Sequence, residues 1–266
     1  MNGEFSSKHF KLEKVSQGVY AAIANEGGGA VANAGFVDLG NQTIVFDTFN
    51  TPQAAEDLKR AVETVTASPI TWVVNSHFHG DHIRGNQVFK GSTMISSQIT
   101  YEKMRDIHPD RIEKQKQGIK ELADYIVSLK EEFSRNRNLE IEQKISFLTE
   151  VERSLPTLQL TLPQVTFKEE LSFYGTKRSA KLFTLGGGHS YCDAMLYIPE
   201  ERVLFMGDLL FVGSPPTFFE ESNPEGWEDI LRKVIELEFE KAVPGHGPVG
   251  TKTDVLKLID YMEETL

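Results

Sequence analysis

Between Val73 and His82 the chain reads Val-Val-Asn-Ser-His77-Phe-His79-Gly-Asp81-His82, which puts three imidazoles and one carboxylate within six residues. The run Ile70 to Val74 just before it is apolar and β-branched and reads as a buried strand. In an extended segment alternate residues point the same way, so His77, His79 and Asp81 would share one side, with His82 beside them. Neutral imidazole nitrogen and ionised carboxylate oxygen are the ligands a zinc-like divalent ion takes. Without a cation, burying these groups together would cost several kcal/mol in unpaired polar atoms. The stretch reads as a metal site.

Three further segments place a liganding type where a strand runs into a glycine-rich turn. They are Gly186-Gly-Gly-His189-Ser190 after Lys181 to Leu185, Gly207-Asp208 after Val203 to Met206, and Pro244-Gly245-His246-Gly247 after Ala242-Val243. Asp47, closing Thr43 to Asp47, has the same placement. Catalytic groups concentrate on such loops at the ends of a rigid scaffold. Each dipeptide alone is ordinary turn chemistry, but five of the seven histidines fall into the arrangement. His9 and His108 lie outside it and read as surface groups, and Cys192 reads as a small buried residue. Phe218 and Phe219, beside Pro215-Pro216, could line an apolar substrate wall or pack in the core.

The elements that must position these groups follow from periodicity. Val15 to Ala24, Ala30 to Val37 and Thr43 to Asp47 read as an antiparallel meander. Asn50-Thr51-Pro52 opens a helix carrying Leu58, Ala61, Val62 and Val65, which Ser68-Pro69 stops. Thr93 to Ser97 is a further strand. Ile112, Ile119, Leu122, Ile126, Leu129 and Phe133 then form one helical stripe, and Ile141, Ile145, Leu148, Val151 and Leu155 a second. This predicts a hairpin of two long helices, over about 101–156, inserted into a single domain spanning 1–266. Short strands resume at Pro163 to Phe167, Leu171 to Tyr174, Lys181 to Leu185, Ala194 to Ile198 and Arg202 to Met206. A helix from Gly226, a strand at Lys241 to Val243 and a closing helix through Val255 and Met262 complete the chain. Each half holds strands and helices, which suggests two sheets with helices outside.

Composition narrows the class. A formal net charge of −11 argues against a nucleic-acid partner, which favours a basic face. A single cysteine excludes an intrachain disulfide. Met1 to Phe10 is polar, without the apolar core of an export signal, and no run approaches the roughly 20 apolar residues of a membrane span. The expectation is a cytoplasmic protein that does not enter a membrane.

The ordered set Asp47, His77-x-His79-x-Asp81-His82, His189, Asp208 and His246 resembles the metallo-β-lactamase fold superfamily, whose five motifs are present in order over about residues 15 to 266, apart from the helical hairpin. The resemblance implies an α+β fold, a four-layered αβ/βα sandwich, with two divalent metals at the open edge between the sheets. It implies His77, His79 and His189 on the first metal, Asp81, His82 and His246 on the second, and Asp208 bridging. Asp47 would orient a liganding residue by hydrogen bond. The metals would be zinc, with iron or manganese as alternatives.

The residue chemistry agrees with this. Two metals about 3.5–4 Å apart can lower the pKa of a shared water toward about 7, so that a bridging hydroxide is the nucleophile. Asp81 could orient that hydroxide or act as its general base. True zinc β-lactamases typically carry cysteine where this chain has Asp208, which instead resembles the hydroxyacylglutathione hydrolase and lactonase type. The expected function is hydrolysis of an ester, thioester, lactone or amide-like bond of a small molecule. Phosphodiester or sulfate-ester hydrolysis and a mononuclear iron dioxygenase are the alternatives, and the helical stripes could pair between subunits in a homodimer.

Overall fold

The structure is a computed structural model that describes residues 5–265. The amino-terminal half begins with β1 (Phe10–Ser16) and β2 (Val19–Ala24), joined at Gly18, whose φ of 69° suits the tight reversal. The single strand expected over Val15 to Ala24 is therefore a hairpin, because Gln17-Gly18 turns the chain. β3 (Ala34–Asp38) and β4 (Thr43–Phe46) continue the antiparallel meander. The helix α1 (Pro52–Val65) then crosses over to β5 (Ile70–Val74), which pairs parallel with β4. Thr51 caps α1 by accepting the Ala54 N–H at 3.3 Å, and Pro52 supplies the fixed φ of the first turn. A short α2 (Gly80–Ile83) follows β5, and β6 (Thr93–Ser97) and β7 (Val165–Phe167) add two more parallel strands, giving a seven-stranded sheet.

Between β6 and β7 lies the helical insertion. It contains three helices where the stripes predict two: α3 (Gln98–Gln117), α4 (Ile119–Arg135) and α5 (Leu139–Ser154). Gly118 divides the first stripe, so Ile112 belongs to α3 and Ile119 through Phe133 to α4. Ser97 caps α3 through the Thr100 N–H at 3.1 Å, starting the helix three residues before the expected boundary. Met104, His108 and Ile112 recur every four residues on its buried face. His108 is consequently buried and not a surface group, its Nε2–H donating to the Phe78 carbonyl at 2.6 Å. His9 is buried as well, accepting the Gly29 N–H on Nδ1 at 3.1 Å. An isolated polar residue carries no local signal that a distant glycine turn will cover it.

The second half repeats the plan of the first. β8 (Glu170–Tyr174), β9 (Ser179–Thr184), β10 (Ala194–Ile198) and β11 (Val203–Phe211) form an antiparallel run. The helix α6 (Pro224–Val234) crosses to β12 (Lys241–His246), which pairs parallel with β11 at the edge of a five-stranded sheet. α7 (Lys252–Thr265) closes the chain. One apolar core, with Val37, Ile44, Leu196 and Phe205, fills the space between the sheets. A second, around Phe36, Leu58 and Val73, lies under α1, and a third, around Leu204, Trp227 and Ile259, lies under α6 and α7. The layers are thus helix, sheet, sheet, helix. The sheets approach closely at Gly35, where a Cβ would overlap the Phe205 ring.

Candidate metal centre

The candidate liganding residues gather where strands of both sheets end. After β5 the backbone bends through Ser76 to Phe78 and enters α2 at Gly80. Asp81 and His82 therefore sit on a helical turn and not on the continuous extended segment expected for them. His189 lies in the loop between β9 and β10, and His246 is the last residue of β12. Asp208 was expected beyond the end of a strand but lies inside β11. The pairing with β12 slips on both sides of Gly207 (φ 53°), a bulge that turns Asp208 toward the histidines.

The side chains form two abutting sets. In the first, His79 Nδ1 is 3.0 Å from both His77 Nε2 and His189 Nε2, and Asp208 Oδ2 is 3.2 Å from His189 Nε2 and 3.8 Å from His77 Nε2. A tetrahedral zinc with ligands at 2.0–2.1 Å holds them about 3.3–3.4 Å apart. In the second set, Asp81 Oδ2 is 3.8 Å from His82 Nε2 and 3.6 Å from His246 Nε2. Asp208 faces both sets, with Oδ1 at 3.0 Å from His82 Nε2 and Oδ2 at 3.4 Å from His246 Nε2. His82 Nε2 and Asp208 Oδ1 are buried yet make no hydrogen bond. Two such atoms facing each other at 3.0 Å can share a cation or, failing one, a proton on His82. The first set is buried, whereas Asp81 and His246 remain about a quarter exposed and give the centre its opening.

The far nitrogens of three rings have fixed partners. His82 Nδ1–H donates to Asp47 Oδ2 at 2.8 Å. Asp47 also accepts the Ser76 N–H and the Ser76 hydroxyl, each at 2.8 Å. With its proton so committed, Ser76 Oγ accepts from His77 Nδ1–H at 2.9 Å. One buried carboxylate thus fixes the tautomer of a histidine in each set, leaving both Nε2 lone pairs facing inward. His79 is turned the other way round, its Nε2–H donating to Glu221 Oε1 at 3.0 Å while Nδ1 faces the first set.

Electrostatics match this layout. Burial alone would lower His82, but Asp208, Asp47 and Asp81 outweigh it and hold the imidazole well above its ordinary range. Burial alone would raise Asp208, yet His82 and His246 hold it well below the usual carboxylate range. His77 is pushed well down, by burial first and then by its neighbouring imidazoles. The carboxylates draw positive charge to His82, and a cation taking its Nε2 would displace the proton that they otherwise favour there.

Several participants carry no local signal in the sequence. Glu221 reaches His79 across 142 positions. Asn33 donates its backbone N–H to the Gly245 carbonyl at 2.7 Å and its side-chain amide to the carbonyls of Pro244 and Gly247, holding the segment that bears His246. Phe219 packs its ring 4.7 Å from that of His79 and 5.5 Å from that of His189, and is 47% exposed. It lies over the centre, while Phe218 leans on Trp227. Cys192 is buried against Thr184, away from both sets.

Two sheets packed face to face with helices outside, and a histidine–aspartate cluster at their edge, define the metallo-β-lactamase fold. Residues 27–246 match the family described as the metallo-beta-lactamase superfamily, and the chain belongs to it. Among characterised relatives, it is 35% identical over 79 residues to the beta-lactamase-like protein 2 homolog of Caenorhabditis elegans. That stretch is 30% of this chain and spans only 25% of the relative. It is 22% identical over 255 residues to the metallo-beta-lactamase type 2 of Bacteroides fragilis, covering 92% of this chain and 82% of that one. Among solved structures, a metallo-beta-lactamase from Pontibacter korlensis aligns with a TM-score of 0.68 at 16% identity, covering 96% of this chain and all of that one. The DIM-1 metallo-beta-lactamase aligns with a TM-score of 0.67 at 14% identity, covering 98% of this chain and all of that one. At such identities the likeness speaks for the fold. Among the described residues, no helix is long and apolar enough to cross a membrane.

Proposed function

We propose that this protein is a dinuclear metal-dependent hydrolase that cleaves an ester, thioester, lactone or amide-like bond of a small molecule. The observation that carries the proposal is the convergence of seven side chains on two adjoining points, with His82 Nε2 and Asp208 Oδ1 buried there and facing each other at 3.0 Å. His77, His79 and His189 would hold one divalent ion and Asp81, His82 and His246 the other, with Asp208 shared. Two such ions, zinc by preference, would supply a water acidic enough to ionise near neutral pH and positive charge for the oxygen of the attacked carbonyl.

The chain's own groups account for the remainder. Asp81 lies at the open side, within reach of a water between the sets, and can orient it or take its proton. Asp47 and Ser76 hold His82 and His77 in the tautomers that turn Nε2 inward. The exposed ring of Phe219 offers an apolar wall to a substrate, in keeping with an uncharged acyl group near the scissile bond. A carboxylate at position 208 supports the hydroxyacylglutathione hydrolase and lactonase type over antibiotic hydrolysis as the main role. The net charge of −11 supports a small molecule over nucleic acid as substrate.

The test pairs metal analysis of protein purified without added metal with a panel of thioester, lactone, ester, phosphodiester and β-lactam substrates. Close to two zinc per chain and turnover of a carbonyl substrate are expected. His77→Ala and Asp208→Ala should each lose metal and about a hundred- to a thousandfold in kcat, of the order of losing a central electrostatic group. One iron per chain with oxygen consumption, or undiminished turnover in either variant, would refute the proposal.

A further inference from the structure

We infer that Glu221 is a positioning residue for the first cation set, through His79. The inference rests on the dinuclear reading above and extends it to a residue outside the ligand motifs. Every other far nitrogen with a partner is served by Ser76 or Asp47, residues of the amino-terminal half. His79 alone is served from across the sandwich, by a carboxylate on the segment between β11 and α6. The contact is direct, at 3.0 Å, and both side chains are largely buried, at 10% and 14% exposure.

The geometry decides the tautomer. A carboxylate at that distance accepts the Nε2–H, which places the imidazole lone pair on Nδ1, the atom 3.0 Å from both His77 Nε2 and His189 Nε2. If the proton moved to Nδ1, an N–H would point into the cluster and a cation there would lose one ligand. Glu221 therefore selects the ring state that the first set needs and makes the ring a better donor.

The segment that carries Glu221 is fastened for this purpose. The Ser222 hydroxyl donates to the His189 carbonyl at 2.7 Å, the Asn223 N–H donates to the Gly188 carbonyl at 2.8 Å, and the Phe219 N–H donates to Ser222 Oγ at 2.9 Å. Residues 219–223 are thereby tied to the His189 loop. The Phe219 ring covers the two imidazoles that Glu221 helps to align.

The test is stepwise titration of the full-length protein with Co²⁺, read by chelator competition and by the visible absorption of the bound ion. Variants Glu221→Ala, Glu221→Gln and Ser222→Ala are compared with the parent. Glu221→Ala should weaken one of two binding steps by about 10–100-fold and alter the absorption of that ion, leaving the other step within threefold. Glu221→Gln, whose amide oxygen still accepts the Nε2–H, should restore affinity to within about threefold. Ser222→Ala, which loosens the segment without touching His79, should also stay within about threefold. Parent-like affinity in Glu221→Ala, equal losses in Gln and Ala, or an equal loss in Ser222→Ala would each overturn the assignment. If the parent itself bound no Co²⁺, the dinuclear reading and this inference would fall together, whereas normal parent binding with an unaffected Glu221→Ala removes the inference alone.

Discussion

Asp47 adopts a left-handed backbone conformation, with φ of 61°, immediately after β4. Aspartate tolerates this region better than most residues, but it still costs free energy that surrounding contacts must offset. Those contacts are the Ser76 N–H, the Ser76 hydroxyl and His82 Nδ1–H, three donors on one carboxylate. Burial pushes the carboxyl upward, and His82 and Ser76 pull it back. An amide could accept at one oxygen only and would turn its own N–H₂ toward the remaining donors. Asp47→Asn should therefore disturb His82 directly and His77 through Ser76. Its expected signature is a loss of about 10–100-fold in both cation-binding steps, unlike the one-step loss expected of Glu221→Ala. Chelator competition on the purified variant measures it, and unaltered affinity would show that the two rings are aligned without Asp47.

The helical insertion meets the turn that bears His77 and His79 through His108 of α3, whose Nε2–H donates to the carbonyl of Phe78 between them. Burial pushes this imidazole down to about 4. In the unfolded chain it titrates near 6.5, so between those values the unfolded state binds more proton and stability falls as the pH falls. The loss starts below about pH 6.5, is complete near pH 4, and amounts to about 3 kcal/mol. Denaturant unfolding at pH 7 and pH 4 should show the parent losing about that much more than His108→Gln, which keeps a donor for Phe78 but cannot titrate. Equal losses would mean that His108 does not couple α3 to acid. The Met104, His108, Ile112 spacing was there to be read, yet a lone polar member of an apolar stripe looks like its edge. The convergence of the histidines and aspartates was legible because rare residue types stand close together in the sequence, and the meander, α1 and the α6–β12 crossover because their periodicity is local. Glu221, Asn33 and the bulge at Gly207 were not, since each acts through a contact set by the packing of two sheets. The break at Gly118 was hidden for another reason: Ile112 and Ile119 keep helical spacing across it.

At the scale of the molecule, the two halves contribute unequal parts of one centre. His77, His79, Asp81 and His82 come from the seven-stranded side, and His189, Asp208 and His246 from the five-stranded side. Asn33 already joins them by donating to Pro244, Gly245 and Gly247, and the core between the sheets supplies the bulk of the cohesion. Cations held by residues of both halves bind the assembled sandwich and not the unfolded chain, so binding adds stability by mass action. A free concentration of 100 Kd contributes about 2.7 kcal/mol per ion, or roughly 5–10 °C in Tm for a chain of this size. Exhaustive chelation should therefore lower Tm by at least that much, and readdition of zinc should restore it. The same treatment of Asp208→Ala, which lacks the carboxylate shared by both sets, should move Tm by no more than a degree or two. A parent Tm indifferent to chelator and zinc would mean that the seven side chains do not clamp the halves together through cations, however closely they converge.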